Sequence, residues 1–78
     1  MLRMNKPLKV TYDPDVDAAY IYLTEIPAGG VARTYCCDSA EVDGMINLDF
    51  DAEGRLLGIE VLGAKTKLPI GLLVPEAR

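Results

Sequence analysis

One run of candidate oxygen ligands is DFDAEGRLLGIE, from Asp49 to Glu60. A calcium loop of the form D-x-[DN]-x-[DN]-G-x5-E sets carboxylates on alternate residues, a glycine at the sharp bend and a glutamate to close the shell. Asp49, Asp51, Gly54 and Glu60 meet that template, and Glu53 stands where Asp or Asn belongs. The flanks argue against it. Such a loop needs an amphipathic helix on each side, yet GMINLDF and LLGIEVLG both alternate with the period of strands. A hairpin is the better reading, with Glu53-Gly54 as a two-residue turn and Gly54 supplying positive φ. It sets Phe50 opposite Leu57, Leu48 opposite Ile59 and Ile46 opposite Val61 on one apolar face. Asp49 then meets Gly58, and Asn47 meets Glu60. A three-residue loop would turn Phe50 and Leu48 onto the face of Glu60, so it is disfavoured. The expected metal set is empty, with Asp49, Asp51 and Glu53 the residues a cation would meet if one bound. Asp13-Pro14-Asp15-Val16-Asp17 offers a second set of carboxylates, but Ala18 stands where a metal loop wants glycine.

Other chemistry is sparse. There is no histidine, which removes the commonest general base and metal ligand. No nucleophile elbow, P-loop or dinucleotide fingerprint occurs. Cys36 and Cys37 are adjacent, and neighbouring strand residues point to opposite faces, so the expectation is one buried and one exposed thiol. No catalytic residue and no cofactor are expected, and the chain reads as a non-enzyme. Tyr20 and Tyr22 share one strand face and are candidates for a subunit interface.

Charge narrows the partners. Net charge is −4, but residues 10–64 hold eleven acids against only Arg33 and Arg55, a net of −9. That body repels phosphate backbones, so nucleic acid is excluded and a basic protein or a cation is favoured. No apolar run is long enough for a membrane span. With no signal peptide and no useful disulfide, a reducing cytoplasm is the expected compartment. A chain of 78 residues, half of them hydrophobic, is marginal alone, so a second copy is the expected support.

The elements follow from alternation. Strands are expected near 8–13, 18–26, 31–38, 45–51 and 55–62, with a type I turn at Asp13-Pro14 and a loop at Pro27–Gly30. The expected fold is mainly β, or small α+β: one domain over 1–78, with a four- to five-stranded antiparallel meander sheet over 8–62. An apolar tail, 63–78, is broken by Pro69, Gly71 and Pro75. Its Leu68, Ile70, Leu72, Leu73 and Val74 must cover one sheet face or dock on a second chain, since a lone sheet needs a second layer.

Two phrases in combination, TYDPDVDAAYIYL and NLDFDAEGRLLGIEVLGA, resemble a widespread prokaryotic family known as domain of unknown function 2283. The resemblance implies a small antiparallel β domain in a prokaryotic cytoplasm and carries no established activity or catalytic residues. It also suggests the antitoxin half of a small toxin–antitoxin module. The functional expectation is a self-associating, homodimeric protein-interaction module, antitoxin-like if its partner is basic. The alternative is a small-ligand or cation binder that uses the acidic turns Asp13–Asp17 and Asp49–Glu53, provided they meet at one end of the sheet.

Overall fold

The computed structural model describes residues 8–42 and 45–73. Strands β1 (Lys9–Asp13), β2 (Ala18–Tyr22), β3 (Arg33–Cys37), β4 (Ile46–Phe50) and β5 (Leu56–Leu62) make one sheet in the order β1-β2-β5-β4-β3. Every neighbouring pair is antiparallel. The meander order holds through β3, β4 and β5, and β1–β2 is a hairpin. The departure is that β2 pairs with β5 rather than with β3. β5 is the longest strand and brings apolar side chains to the sheet at Leu57, Ile59 and Val61, so it gains most from an interior place. The chain after β2 therefore runs past it to the far edge, turning at Pro27–Gly30, where Gly29 has φ 75° and Gly30 N–H donates to the Pro27 carbonyl at 2.9 Å. Strand β2 is shorter than alternation suggests, ending at Tyr22 rather than near residue 26.

Register sorts the side chains cleanly. One row across all five strands runs Val10, Ile21, Ile59, Leu48, Tyr35, and the next runs Tyr12, Ala19, Val61, Ile46, Cys37. Both lie on the same face. The opposite face carries Thr11, Tyr20, Glu60, Asn47, Cys36 and, beside them, Lys9, Tyr22, Gly58, Asp49, Thr34.

The β4–β5 hairpin keeps the expected pairs Ile46–Val61, Asn47–Glu60, Leu48–Ile59 and Asp49–Gly58. Its turn is different. Gly54 N–H donates to the Asp51 carbonyl at 3.0 Å and Asp51 N–H to the Arg55 carbonyl at 2.9 Å, so the loop is the three residues Ala52-Glu53-Gly54. Gly54, at φ 85°, takes the left-handed position that ends such a loop. A bulge corrects the parity: Phe50 pairs with Leu56, Asp49 with Gly58, and Leu57 is the additional residue. The apolar face therefore survives a loop that alone would have inverted it.

The tail covers that face at one end. After Gly63 a short helix, α1 (Ala64–Lys67), and a 3-10 turn (Ile70–Leu72) lead to Leu73. Ala19, Val61, Ala64 and Leu73 form the buried cluster, with Tyr12, Ile21, Ile46, Ile59 and Leu68 packed around it. Ile70 and Leu72, expected to help, are 65% and 47% exposed and point away. Ala64, which the tail reading omitted, is fully buried; Val74 lies outside the described residues.

Asp17 fixes where the tail begins. It sits in the β1–β2 turn at φ 55°, a left-handed conformation that Asp tolerates better than most residues. Its Oδ1 accepts from Tyr12 Oη at 2.8 Å and from the Lys65 backbone N–H at 3.0 Å, and its carbonyl accepts from Ala64 N–H at 3.0 Å. One residue thus clamps the first hairpin to the start of α1.

Two outcomes follow, both readable by urea melts. Leu73→Ala should destabilise by about 2–4 kcal/mol, whereas Ile70→Ala and Leu72→Ala should each change stability by about 0.5 kcal/mol. Asp17→Ala removes both side-chain bonds and puts alanine at positive φ, for a loss of about 2–3 kcal/mol; Asp17→Asn, which keeps an acceptor and tolerates that φ, should lose about 1 kcal/mol.

Candidate functional site

The polar face of the sheet gathers most of the residues with functional chemistry. Glycine in mid-strand marks a close approach, and Gly58 is such a place. A Cβ there would lie 2.5 Å from the Tyr20 ring, so the phenol rests directly on the backbone of β5. Crossing that strand, Tyr20 Oη donates to Asp49 Oδ2 on β4 at 2.6 Å. Asp49 Oδ1 accepts from Thr34 Oγ1 on β3, also at 2.6 Å. One carboxylate therefore ties together strands on both sides of β5. Next to it Asn47 Nδ2 donates to Glu60 Oε1 at 3.0 Å. Tyr22 meets Tyr20 edge to face at 4.7 Å, and Lys9 Nζ lies 5.1 Å from the centre of the Tyr22 ring.

Electrostatics makes this a strap rather than an acid–base pair. Burial, then the hydrogen bond to Asp49 and the charges of Asp49, Tyr22 and Glu60 push the Tyr20 pKa well above its ordinary value. A phenol so held keeps its proton at neutral pH and is poorly matched to proton transfer there. Tyr12 is shifted upward as well, chiefly by its bond to Asp17.

The candidate cation ligands are spoken for by the fold. Asp49 serves Tyr20 and Thr34, while Asp51 Oδ1 accepts from the N–H groups of Glu53 at 3.0 Å and Arg55 at 2.9 Å. Glu53 is exposed, 3.7 Å from Arg55 Nη1. Asp13 Oδ1 accepts from Asp15 N–H at 3.0 Å and so shapes the Pro14 turn. Among the described residues no group of three or more Cys, Asp or Glu converges to hold a metal. The two acidic turns also fail to meet. Asp13–Asp17 lies at the end of the sheet marked by Leu62 and Ile46, and Asp49–Glu53 at the end marked by Tyr22 and Leu56. That removes the geometric premise of the ligand-binding alternative.

Between Thr11, Asp13, Ala18, Tyr20 and Glu60 lies an open depression of about 210 Å³. It is smaller than the ~300–1,000 Å³ of ordinary small-molecule pockets. Of the interface candidates, Tyr20 and Tyr22 sit on this polar face, whereas Leu68 and Leu73 serve the cluster on the other and Ile70 and Leu72 face solvent. Cys36 is exposed and Cys37 half-buried. The Tyr20–Asp49–Thr34 link is absent from the sequence reading, although the Asp49–Gly58 pairing was its signal: a carboxylate beside a residue with no side chain leaves room for a ring to reach across.

Fold and face together define a small, single-sheet antiparallel β domain with a thin C-terminal cover. Residues 9–65 match the family described as Protein of unknown function (DUF2283), and the chain belongs to that family. Neither a curated protein nor a solved structure matches it. Among the described residues no helix is long and apolar enough to cross a membrane.

A pH signature tests the strap. An unfolded tyrosine titrates near ~10 and the folded Tyr20 higher, so its contribution is complete below pH ~10 and is lost as pH rises above that. Tyr20→Phe should lose about 1–2 kcal/mol at neutral pH and show a shallower fall in stability above pH ~10 than the parent. Parallel urea melts at neutral and alkaline pH check this; equal slopes for the two proteins would remove Tyr20 from the alkaline transition.

Proposed function

We propose that the chain is a non-enzymatic protein-interaction module of the prokaryotic cytoplasm that self-associates and binds a basic protein in the manner of an antitoxin. The observation that carries this reading is the incomplete cover of the apolar face. Among the described residues only Ala19, Leu57, Val61, Ala64 and Leu73 are buried hydrophobic residues, and among them Val61 is the one large side chain that is fully buried. Val10, Ile21, Ile46, Leu48, Phe50 and Ile59 remain half-exposed. A contiguous apolar surface on a small domain is what protein interfaces use.

Charge supports the basic partner. Asp13, Asp15, Glu25, Asp38, Glu41 and Glu53 are all exposed, and they attract a cationic surface at long range. The non-enzymatic part rests on the missing histidine and on a tyrosine held in its neutral form.

Light scattering on the purified chain should give twice the chain mass of 8.5 kDa. Native mass spectrometry on protein taken gently from its own cells should add a basic protein whose complex weakens with salt. A strictly monomeric chain without such a partner at every concentration would end this reading.

A further inference from the structure

The cover is built in two parts joined by one extended residue. Its root is α1, which Asp17 holds twice: the Asp17 carbonyl accepts from Ala64 N–H and its Oδ1 from Lys65 N–H, both at 3.0 Å. Ala64 is fully buried in the same cluster as Val61. Leu68 then leaves the helix at φ −116° and ψ 153°, the extended geometry that a following proline favours. Beyond it, Pro69–Leu73 is bonded only to itself: Leu72 N–H donates to the Pro69 carbonyl and Leu73 N–H to the Ile70 carbonyl, both at 3.0 Å. Among the described residues no hydrogen bond joins this segment to the sheet. Ile70 is 65% and Leu72 47% exposed, so Leu73, at 8%, is the one buried side chain it has.

We propose that Pro69–Leu73 is a lid that leaves the apolar face by turning about Leu68 while α1 and the sheet stay folded. A segment opens locally when few apolar contacts and no hydrogen bonds to the rest of the fold hold it. Here one leucine does the holding, and the root stays clamped because Asp17 binds α1 and not the lid. A three-residue 3-10 turn has no stability of its own in water, so it melts when Leu73 leaves. Opening uncovers the neighbours of Leu73 in the cluster, Ala19 and Val61, with Ile21 and Ile59 at the margin. Ile21 and Ile59 share a row with the half-exposed Val10 and Leu48, so the uncovered patch continues the apolar surface that is already open. A chain that binds this larger surface draws the population toward the open form. That use rests on the self-association reading; the opening itself does not.

Amide exchange on the full chain, read residue by residue in low urea, tests the lid. Leu72 and Leu73 should exchange at least ~10-fold faster than the amides of β5, which is paired on both sides, and Ala64 should exchange with β5. The Leu72 and Leu73 rates should hardly rise with urea, because a local opening exposes little surface. Two variants separate the routes. Tyr20→Phe loosens the opposite face, so β5 amides should exchange about 5–30-fold faster while Leu72 and Leu73 keep the parent's rate. Leu73→Val weakens the one anchor and should quicken Leu72 about fivefold. Leu72 and Leu73 exchanging as slowly as β5, or quickening with it in Tyr20→Phe, would overturn the lid. So would a Leu72 rate indifferent to Leu73→Val, since the turn would then fray without the lid moving. The mass read by light scattering holds or fails independently of these rates, so the two readings fall separately.

Discussion

The fold depends on burying Val61. It is 1% exposed, lies at the middle of the sheet between Ala19 on β2 and Ile46 on β4, and meets the cover through Ala64 and Leu73. The alanines matter as much as the valine. With side chains this small on the neighbouring strand and at the start of α1, a cover only a few residues long can reach the sheet without a gap. Full burial of a valine contributes about 1.5–3 kcal/mol, a large share of what so small a domain can hold. Among the described residues the cover centres on this end, so Ile21 and Ile59 are only partly buried at its margin and Leu48 lies outside the cluster.

The other face obeys a different constraint. Gly58 leaves a gap in β5 that the Tyr20 ring fills, and the ring is long enough to place its hydroxyl on Asp49. Each polar group beneath the ring then finds a partner: Thr34 on the far side of Asp49, and Asn47 on Glu60. Among the described residues no buried side-chain nitrogen or oxygen lacks a hydrogen bond. A half-buried carboxylate that accepts two hydroxyl bonds is well satisfied, and a cation would have to displace both donors to bind it.

Much of this was legible in residue order. Alternation placed the strands, and the parity of Ile46, Leu48, Ile59 and Val61 set the hairpin register because a one-residue slip would expose all of them. What parity could not reveal is that two irregularities can cancel. The three-residue loop at Asp51–Arg55 shifts the register by one, and the extra residue at Leu57 shifts it back. The neighbour of β2 was hidden because hairpin preference is local, whereas β5 wins its central place through burial over the whole sheet. Asp17 looked like one acid in an acidic turn; its work depends on a backbone 48 residues away. Ala64 carries little apolar bulk and so gives no signal in the sequence, yet at a close contact the small residue is the one that is buried.

These observations divide the acids into two kinds. Asp13, Asp17, Asp49, Asp51 and Glu60 accept hydrogen bonds within the fold, Asp13 and Asp51 closing turns through backbone N–H groups of their own loop and Asp49 and Glu60 bridging strands. Their charge still counts toward the field, but their lone pairs are engaged, so they are poorly placed to take a ligand's donors. Asp15, Glu25, Asp38, Glu41 and Glu53 are exposed and lie outside the strands, around both ends of the sheet. Charges spread in that way make a rim instead of a pocket. A mainly acidic rim raises the rate at which an oppositely charged partner arrives and makes that rate fall with salt, while contributing little to how long it stays. Residence has to come from apolar contact, and in this chain the apolar surface lies on the sheet face that the tail leaves half-covered. For the basic partner we propose, that division of labour would put the effect of salt on the association rate and the effect of truncating Leu48 or Ile59 on the dissociation rate.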